Sequence, residues 1–141
     1  MADREPEPLL RTSYFQVLIG DRELGFAEVS RLTSKTDREQ PKEKQHEFET
    51  VVLRRALGGS TELYDWRRRI VDGTDDRRDV TIRQLESPGG AIANSWTLVG
   101  AWPSRWSGPA FDARSSEVAV EELELAFDDL VWHDQTRREG G

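Results

Sequence analysis

The sequence predicts a mainly β domain, a barrel or sandwich of about six strands with one α-helix on its flank. Three observations predict it. Short runs of β-branched and aromatic residues recur between turn signals along most of the chain. Only one stretch, residues 61–72, carries the spacing of an amphipathic helix. The chain is 141 residues long, the size of one domain, and only 35% of it is hydrophobic, so its apolar groups must be placed economically around one core.

Residues 1–12 read as a flexible arm, because Asp3, Arg4, Glu5, Pro6, Glu7 and Pro8 offer little to bury. Residues 13–132 form the expected β domain and 133–141 a polar tail. The first strand lies at Ser13, Tyr14, Phe15, Gln16, Val17, Leu18 and Ile19, and Gly20-Asp21 opens a turn. A second, looser strand spans 24–32, giving an antiparallel hairpin with a loop of about four residues. Residues 33–47 are polar throughout and read as a long loop. A third strand follows at 48–55 and closes at Gly58-Gly59. In the helix at 61–72, Ser60 is placed to cap the N-terminus, Glu62 favours the positive first turn, and Gly73 fits the stop. Leu63, Trp66 and Ile70 form its core-facing stripe. Arg67, Arg68 and Arg69 read as a solvated face with contacts to Asp65 or Asp72.

A fourth strand at 78–85 alternates through Val80 and Ile82. Ser87-Pro88-Gly89-Gly90 turns the chain into a fifth strand at 91–102, and 102–109, with two prolines and two tryptophans, reads as an irregular corner. Trp102, Pro103 and Trp106 are expected in the core beneath that corner. The last strand, 117–131, changes phase: Val118 and Val120 share one face, and Leu123, Leu125 and Phe127 the other. A β-bulge at Glu121-Glu122 accounts for the switch.

Composition excludes several function classes. Lys and Arg total 20 against 27 Asp and Glu, a net charge of −7, so the chain has no general electrostatic reason to bind nucleic acid. With no cysteine there is no disulfide, no thiol catalysis and no thiolate metal site, and His46 and His133 stand alone. No apolar h-region follows the N-terminus and no window approaches the ~20 apolar residues of a membrane helix. These features describe an acidic domain made in the cytoplasm, with no metal or cofactor expected.

No motif carries catalysis. The run Asp72-Gly73-Thr74-Asp75-Asp76 lacks the acidic spacing and closing glutamate of a calcium loop and reads as a helix end followed by a turn. There is no nucleophile elbow, phosphate loop or His-Glu-x-x-His pair. Glu122 and Glu124 share one strand face and are the one pair on which a glycosidase reading rests, but nothing marks a cleft around them. Five tryptophans (Trp66, Trp96, Trp102, Trp106 and Trp132) support a rival from another class, a monomeric β-barrel binding a small apolar or sugar ligand.

The order of elements resembles the tail-tube protein family of contractile phages and phage-like contractile injection systems. The resemblance is carried by Phe15-Gln16-Val17-Leu18-Ile19-Gly20 with Phe26-Ala27-Glu28-Val29-Ser30, and by Leu63-Tyr64-Asp65-Trp66-Arg67 leading into Ile70-Val71-Asp72-Gly73. It continues through Ala101-Trp102-Pro103-Ser104-Arg105-Trp106-Ser107-Gly108-Pro109 and the strand from Glu117 to Ala126. It implies a tail-tube-like β fold whose copies form hexameric rings. The rings would stack into, or initiate, a hollow tube inside a contractile sheath, with sheath and baseplate subunits as partners and the particle released outside the cell. No reaction, cofactor or membrane insertion of the monomer is implied. Family members carry a longer insert between the second and third strands, where this chain has only 33–47.

That segment is the expected subunit interface. Its charges alternate in sign through Lys35, Asp37, Arg38, Glu39, Lys42, Glu43, Lys44 and Glu47, which suits complementary pairing between copies rather than one uniform field. A monomer would also spend ordering entropy on so long a loop without burying anything in return.

Overall fold

The computed structural model describes residues 9–36, 39, 46–48 and 50–134. Its elements in chain order are β1 (Phe15–Ile19), β2 (Arg22–Leu24), β3 (Glu28–Val29), β4 (Ser34–Thr36), β5 (His46–Phe48), β6 (Val51–Ala56), α1 (Glu62–Val71), β7 (Arg78–Leu85), β8 (Ile92–Ser107), β9 (Val120–Ala126) and β10 (Asp129–Asp134). The main sheet is antiparallel, in the order β2-β1-β7-β8-β9-β6-β3, with β10 also on β8. The mainly β class with one helix is as the sequence predicts. Residues 1–8 of the expected arm and 135–141 of the expected tail lie outside the described residues.

The long strand β8 makes this sheet enclose a core. Its first part pairs with β7 on one edge and β10 on the other, and its second part, from Trp102 to Ser107, pairs with β9. The changeover falls at Gly100, whose φ of +65° is open to glycine, and a Cβ there would meet the Asp128 carboxylate. Asp128 sits between β9 and β10, and its N–H donates to the Val99 carbonyl beside Gly100. The two halves close over one apolar cluster that includes Val17, Val80, Leu98, Leu123, Leu53 and Trp66. Strand alternation supplies it: Val80 and Ile82 on β7, and Val51 and Leu53 on β6, are buried at every second position.

The helix covers this core through Leu63 and Trp66, both buried, with Ile70 packed at the margin. Trp66 donates from Nε1 to the Asp76 carbonyl at 2.7 Å, and the Arg78 guanidinium lies 4.6 Å over its ring. Burial of a side chain this size contributes about 1.5–3 kcal/mol. The N-cap residue is Thr61, whose side chain makes no capping bond, while the Ser60 hydroxyl accepts the Glu62 N–H at 3.2 Å. Gly73 stops the helix at φ +90°, its N–H donating to the Ile70 carbonyl.

Several boundaries differ from the sequence reading. The first hairpin turns in two residues rather than four, Ile19 standing opposite Arg22 with Gly20 at φ +65°. The second strand breaks into β2 and β3 around Gly25 and Phe26. Residues 33–47 are not all loop, since β4 pairs with β5 as a separate two-stranded ribbon; Phe48 belongs to that ribbon, and the third strand begins at Val51. The proposed corner at 102–107 is strand: β8 runs straight through Pro103 and is bulged beside it, where the register shifts between Pro103 and Arg105. The last strand is two, β9 and β10, and the expected bulge at Glu121-Glu122 is absent. Pairing between β6 and β9 is unbroken from Val51–Leu125 to Ala56–Val120. Glu121 itself points inward with Leu123 and Leu125, whereas Val118 precedes the strand and is exposed.

Candidate subunit interface

The charged segment singled out above begins and ends in the ribbon. Lys35 on β4 is exposed and lies opposite Glu47 on β5, and Glu39 is exposed in a turn between the strands. Asp37, Arg38, Lys42, Glu43 and Lys44 lie outside the described residues. The ribbon pairs with no strand of the main sheet, leaving it as a two-stranded unit between β3 and β6. Such a ribbon is marginal in water unless something else packs on it.

The main sheet is open. Its path ends on β2 and on β3, with β10 beside β8 off that path; among the described residues each of the three is paired on one side only, leaving edges that a neighbouring chain can extend. A line of charge spans the seam near the helix. Arg22 of β2 reaches Glu62 at 3.0 Å, Arg55 of β6 reaches the same carboxylate at 3.1 Å, and Arg55 continues to Glu121 of β9 at 2.9 Å. Trp106 Nε1 donates to the other Glu121 oxygen at 2.9 Å. The end strand β2 and the strand β6 next to the other end are thereby tied to the helix N-terminus.

Exposed apolar side chains are the second interface signal. Leu57 donates its N–H to the Ala119 carbonyl, which sets it beside Val118; both are exposed, as is Phe111 in the same β8–β9 connection. Tyr64 on α1 is also exposed and meets Trp106 edge-on at 5.2 Å. Sequence reasoning missed Phe111 and Val118, although a phenylalanine flanked by Gly108, Pro109 and Asp112 is itself a signal of an apolar group placed on a loop.

The tryptophans do not converge. Trp66 is in the core, Pro103 is fully buried, Trp106 is part-buried over Tyr64, and Trp102 is half-buried. Trp96 and Trp132 stack separately with centroids 6.0 Å apart. Glu122 and Glu124 are held by surface partners: Arg54 Nε approaches Glu122 to 3.3 Å without hydrogen-bonding alignment, and the Ser104 hydroxyl donates to Glu124 at 3.1 Å. Of the helix arginines, Arg67 donates to the Pro103 carbonyl, Arg68 pairs with Asp72, and Arg69 pairs with Asp76. Arg78 also donates to Asp76, and these guanidiniums, Arg78 first, hold its carboxyl below the ordinary aspartate value. Arg114 does the same for the exposed Asp112. Among the described residues no group of three or more His, Asp or Glu side chains is arranged to hold a metal ion.

An open apolar groove of about 670 Å³ lies at the mouth between the two halves of the sheet, walled by Phe15, Val29, Leu32, Ile82 and Trp96. It is continuous with the core, against which Phe15, Val29 and Leu32 pack.

Comparison with known proteins places this arrangement. Residues 11–131 match the family model described as T4-like virus tail tube protein gp19. No curated protein matches the chain. Among solved structures, a chain of the PVC sheath-tube complex of an extracellular contractile injection system, in the extended state, is 25% identical with a TM-score of 0.72, over 91% of this chain and 93% of that one. The tube-terminating cap of the anti-feeding prophage is 22% identical with a TM-score of 0.75, over 95% and 99%. Hcp1 from Flavobacterium johnsoniae shares the fold at 15% identity and a TM-score of 0.61, over 86% and 95%. The first two chains are therefore close to this one in overall length.

Proposed function

The chain belongs to the T4-like virus tail tube protein family, and on that premise we propose that it is a structural subunit of the inner tube of a contractile injection system or phage tail. Copies form hexameric rings, and the rings stack into a hollow tube or initiate one, on a baseplate and inside a sheath whose contraction drives the tube through a target envelope. The observation that carries this reading is the family match over residues 11–131, joined to an open antiparallel sheet with free edges at β2 and β3. The PVC sheath-tube complex and the six-fold symmetrised anti-feeding prophage baseplate, each containing a chain of this fold, support the ring and its setting.

The protein works by assembly and carries out no reaction. The carboxylates of Glu62, Asp76 and Glu121 are spent on arginines, and no cofactor enters the account. No helix among the described residues is long and apolar enough to cross a membrane. Synthesis in the cytoplasm and delivery in a released particle follow from the proposed role.

Ring and stacking contacts lie in the β4–β5 ribbon and the segment it brackets, carried by Lys35, Asp37, Arg38, Glu39, Lys42, Glu43, Lys44 and Glu47. The ribbon's separation from the main sheet supports this, because a second copy supplies the surface it lacks. Native mass spectrometry over a concentration series tests the ring. A species of six times the monomer mass is expected, and a monomer at every concentration and salt overturns it.

A further inference from the structure

Among the described residues nothing of the chain itself fills the apolar groove at the mouth of the sheet, and the same chain exposes two leucines next to the segment that lines it. Leu9 is 86% exposed and Leu10 is 38% exposed, immediately before Thr12 and Ser13, which form the groove's rim. The chain is fixed at this point. Gln84 donates from Nε2 to the Arg11 carbonyl at 3.3 Å, and Leu85 donates its N–H to the Tyr14 carbonyl at 2.8 Å. Those bonds hold residues 11–14 along β7, and the leucines that precede them are exposed and do not line the groove.

We infer that the groove receives the N-terminal segment of a second copy, with Leu9 and Leu10 inserted against Phe15, Val29, Leu32 and Trp96. The inference rests on the tube reading, which supplies an identical neighbour at fixed spacing. Two complementarities select this occupant. The groove opens onto the core, so two leucine side chains entering it extend an existing apolar cluster while leaving water themselves. Charge agrees as well. Arg31 on the rim is exposed and makes no ion pair among the described residues, while the eight residues before Leu9 hold Asp3, Glu5 and Glu7 against the single cation Arg4. An acidic sequence ending in two leucines fits a groove that is apolar within and whose lip, beyond the Arg54–Glu28 ion pair, carries the positive charge of Arg31.

The absence of native cysteine makes the test clean. Leu9→Cys protein and size-tagged Arg31→Cys protein are mixed, assembled and oxidised, and the products are separated without reductant. Both positions are exposed, so neither change threatens the fold. The expected product is a mixed dimer bridging Leu9→Cys of one copy to Arg31→Cys of another, reduced at least tenfold when Leu10→Asp is added to the first protein. In a single chain carrying both cysteines, a fast-migrating internal bridge with no mixed dimer assigns the groove to its own arm and overturns the inference. Normal tubes by negative stain without the mixed dimer overturn it too, and leave the tube reading standing. If the wild-type protein builds neither rings nor tubes, the tube reading itself fails.

Discussion

Arg55 and Glu121 form an ion pair inside the protein, Nε to Oε2 at 2.9 Å, with the glutamate only 2% exposed. Glu121 occupies an inward position of β9 between β6 and the second part of β8, where alternation would place an aliphatic residue. It is tolerated because both oxygens are used, one by Arg55 and one by Trp106 Nε1. Arg55 in turn lies 5.5 Å from the centre of the Phe26 ring and reaches Glu62.

Removing the carboxylate strands that guanidinium. Glu121→Ala is expected to cost about 3–5 kcal/mol, and Glu121→Gln, which keeps an acceptor for Trp106, about 1–2 kcal/mol. Urea midpoints of the two variants check this. An alanine variant within 0.5 kcal/mol of wild type, a surface-like effect, contradicts the pairing.

Asp76 makes stability depend on acid. Its carboxyl titrates below the ordinary value of 3.8 because Arg78 and Arg69 stabilise the charged form in the folded state. An acid depressed on folding contributes above its unfolded pKa and loses that contribution as pH falls through the folded one. Asp76→Asn is therefore expected to cost about 1 kcal/mol at neutral pH, with the gap from wild type closing as pH falls below 3.8. Melting curves at several pH values read this directly, and a gap that widens in acid would be the wrong sign.

At Gly100 the backbone is the constraint. Gly100→Ala forces a side chain onto a φ of +65° and brings its Cβ to 2.5 Å from the Asp128 carboxylate. A loss of about 1–3 kcal/mol is expected. Gly59→Ala, where a Cβ meets nothing, is the control expected to change little.

Charge reversal in the ribbon segment separates assembly from folding. The double variant Arg38→Glu with Lys42→Glu falls in a segment whose sequence is polar throughout, and it is expected to unfold as wild type does, within about 0.5 kcal/mol. Its assembly is expected to be lost or to become sensitive to salt. Light scattering at low and high salt checks this, and normal tubes under both conditions place the contacts elsewhere.

Local patterns made much of this fold legible. Val80 and Ile82 alternate between two clear turn signals, which bounds β7 at Arg78–Leu85, and Leu63, Trp66 and Ile70 recur at helical spacing, which places α1 to within one residue at each end. The sequence ends the fifth strand at Trp102 because proline in a central strand removes a ladder donor; a bulge next to Pro103 absorbs that loss, and a bulge has no sequence mark here. Glu121 reads as a phase change because its partner Arg55 is distant in sequence and brought close only by the β6–β9 pairing. The ribbon reads as loop because Ser34, Lys35 and Thr36 show no apolar alternation. For the candidate interface, sequence supplied the alternating charges of 35–47. The apolar groove was invisible to it, since Phe15, Val29 and Trp96 come from three separate elements or loops.

The central claim, that this chain builds the tube, is tested most directly by cryo-electron microscopy of contractile particles purified from the native host. The account predicts a hollow inner tube, or its first ring, whose subunit density fits this fold with β4–β5 at a contact between copies. Particles with a complete tube and baseplate from which this chain is absent, with the protein recovered only as a free monomer, would contradict it.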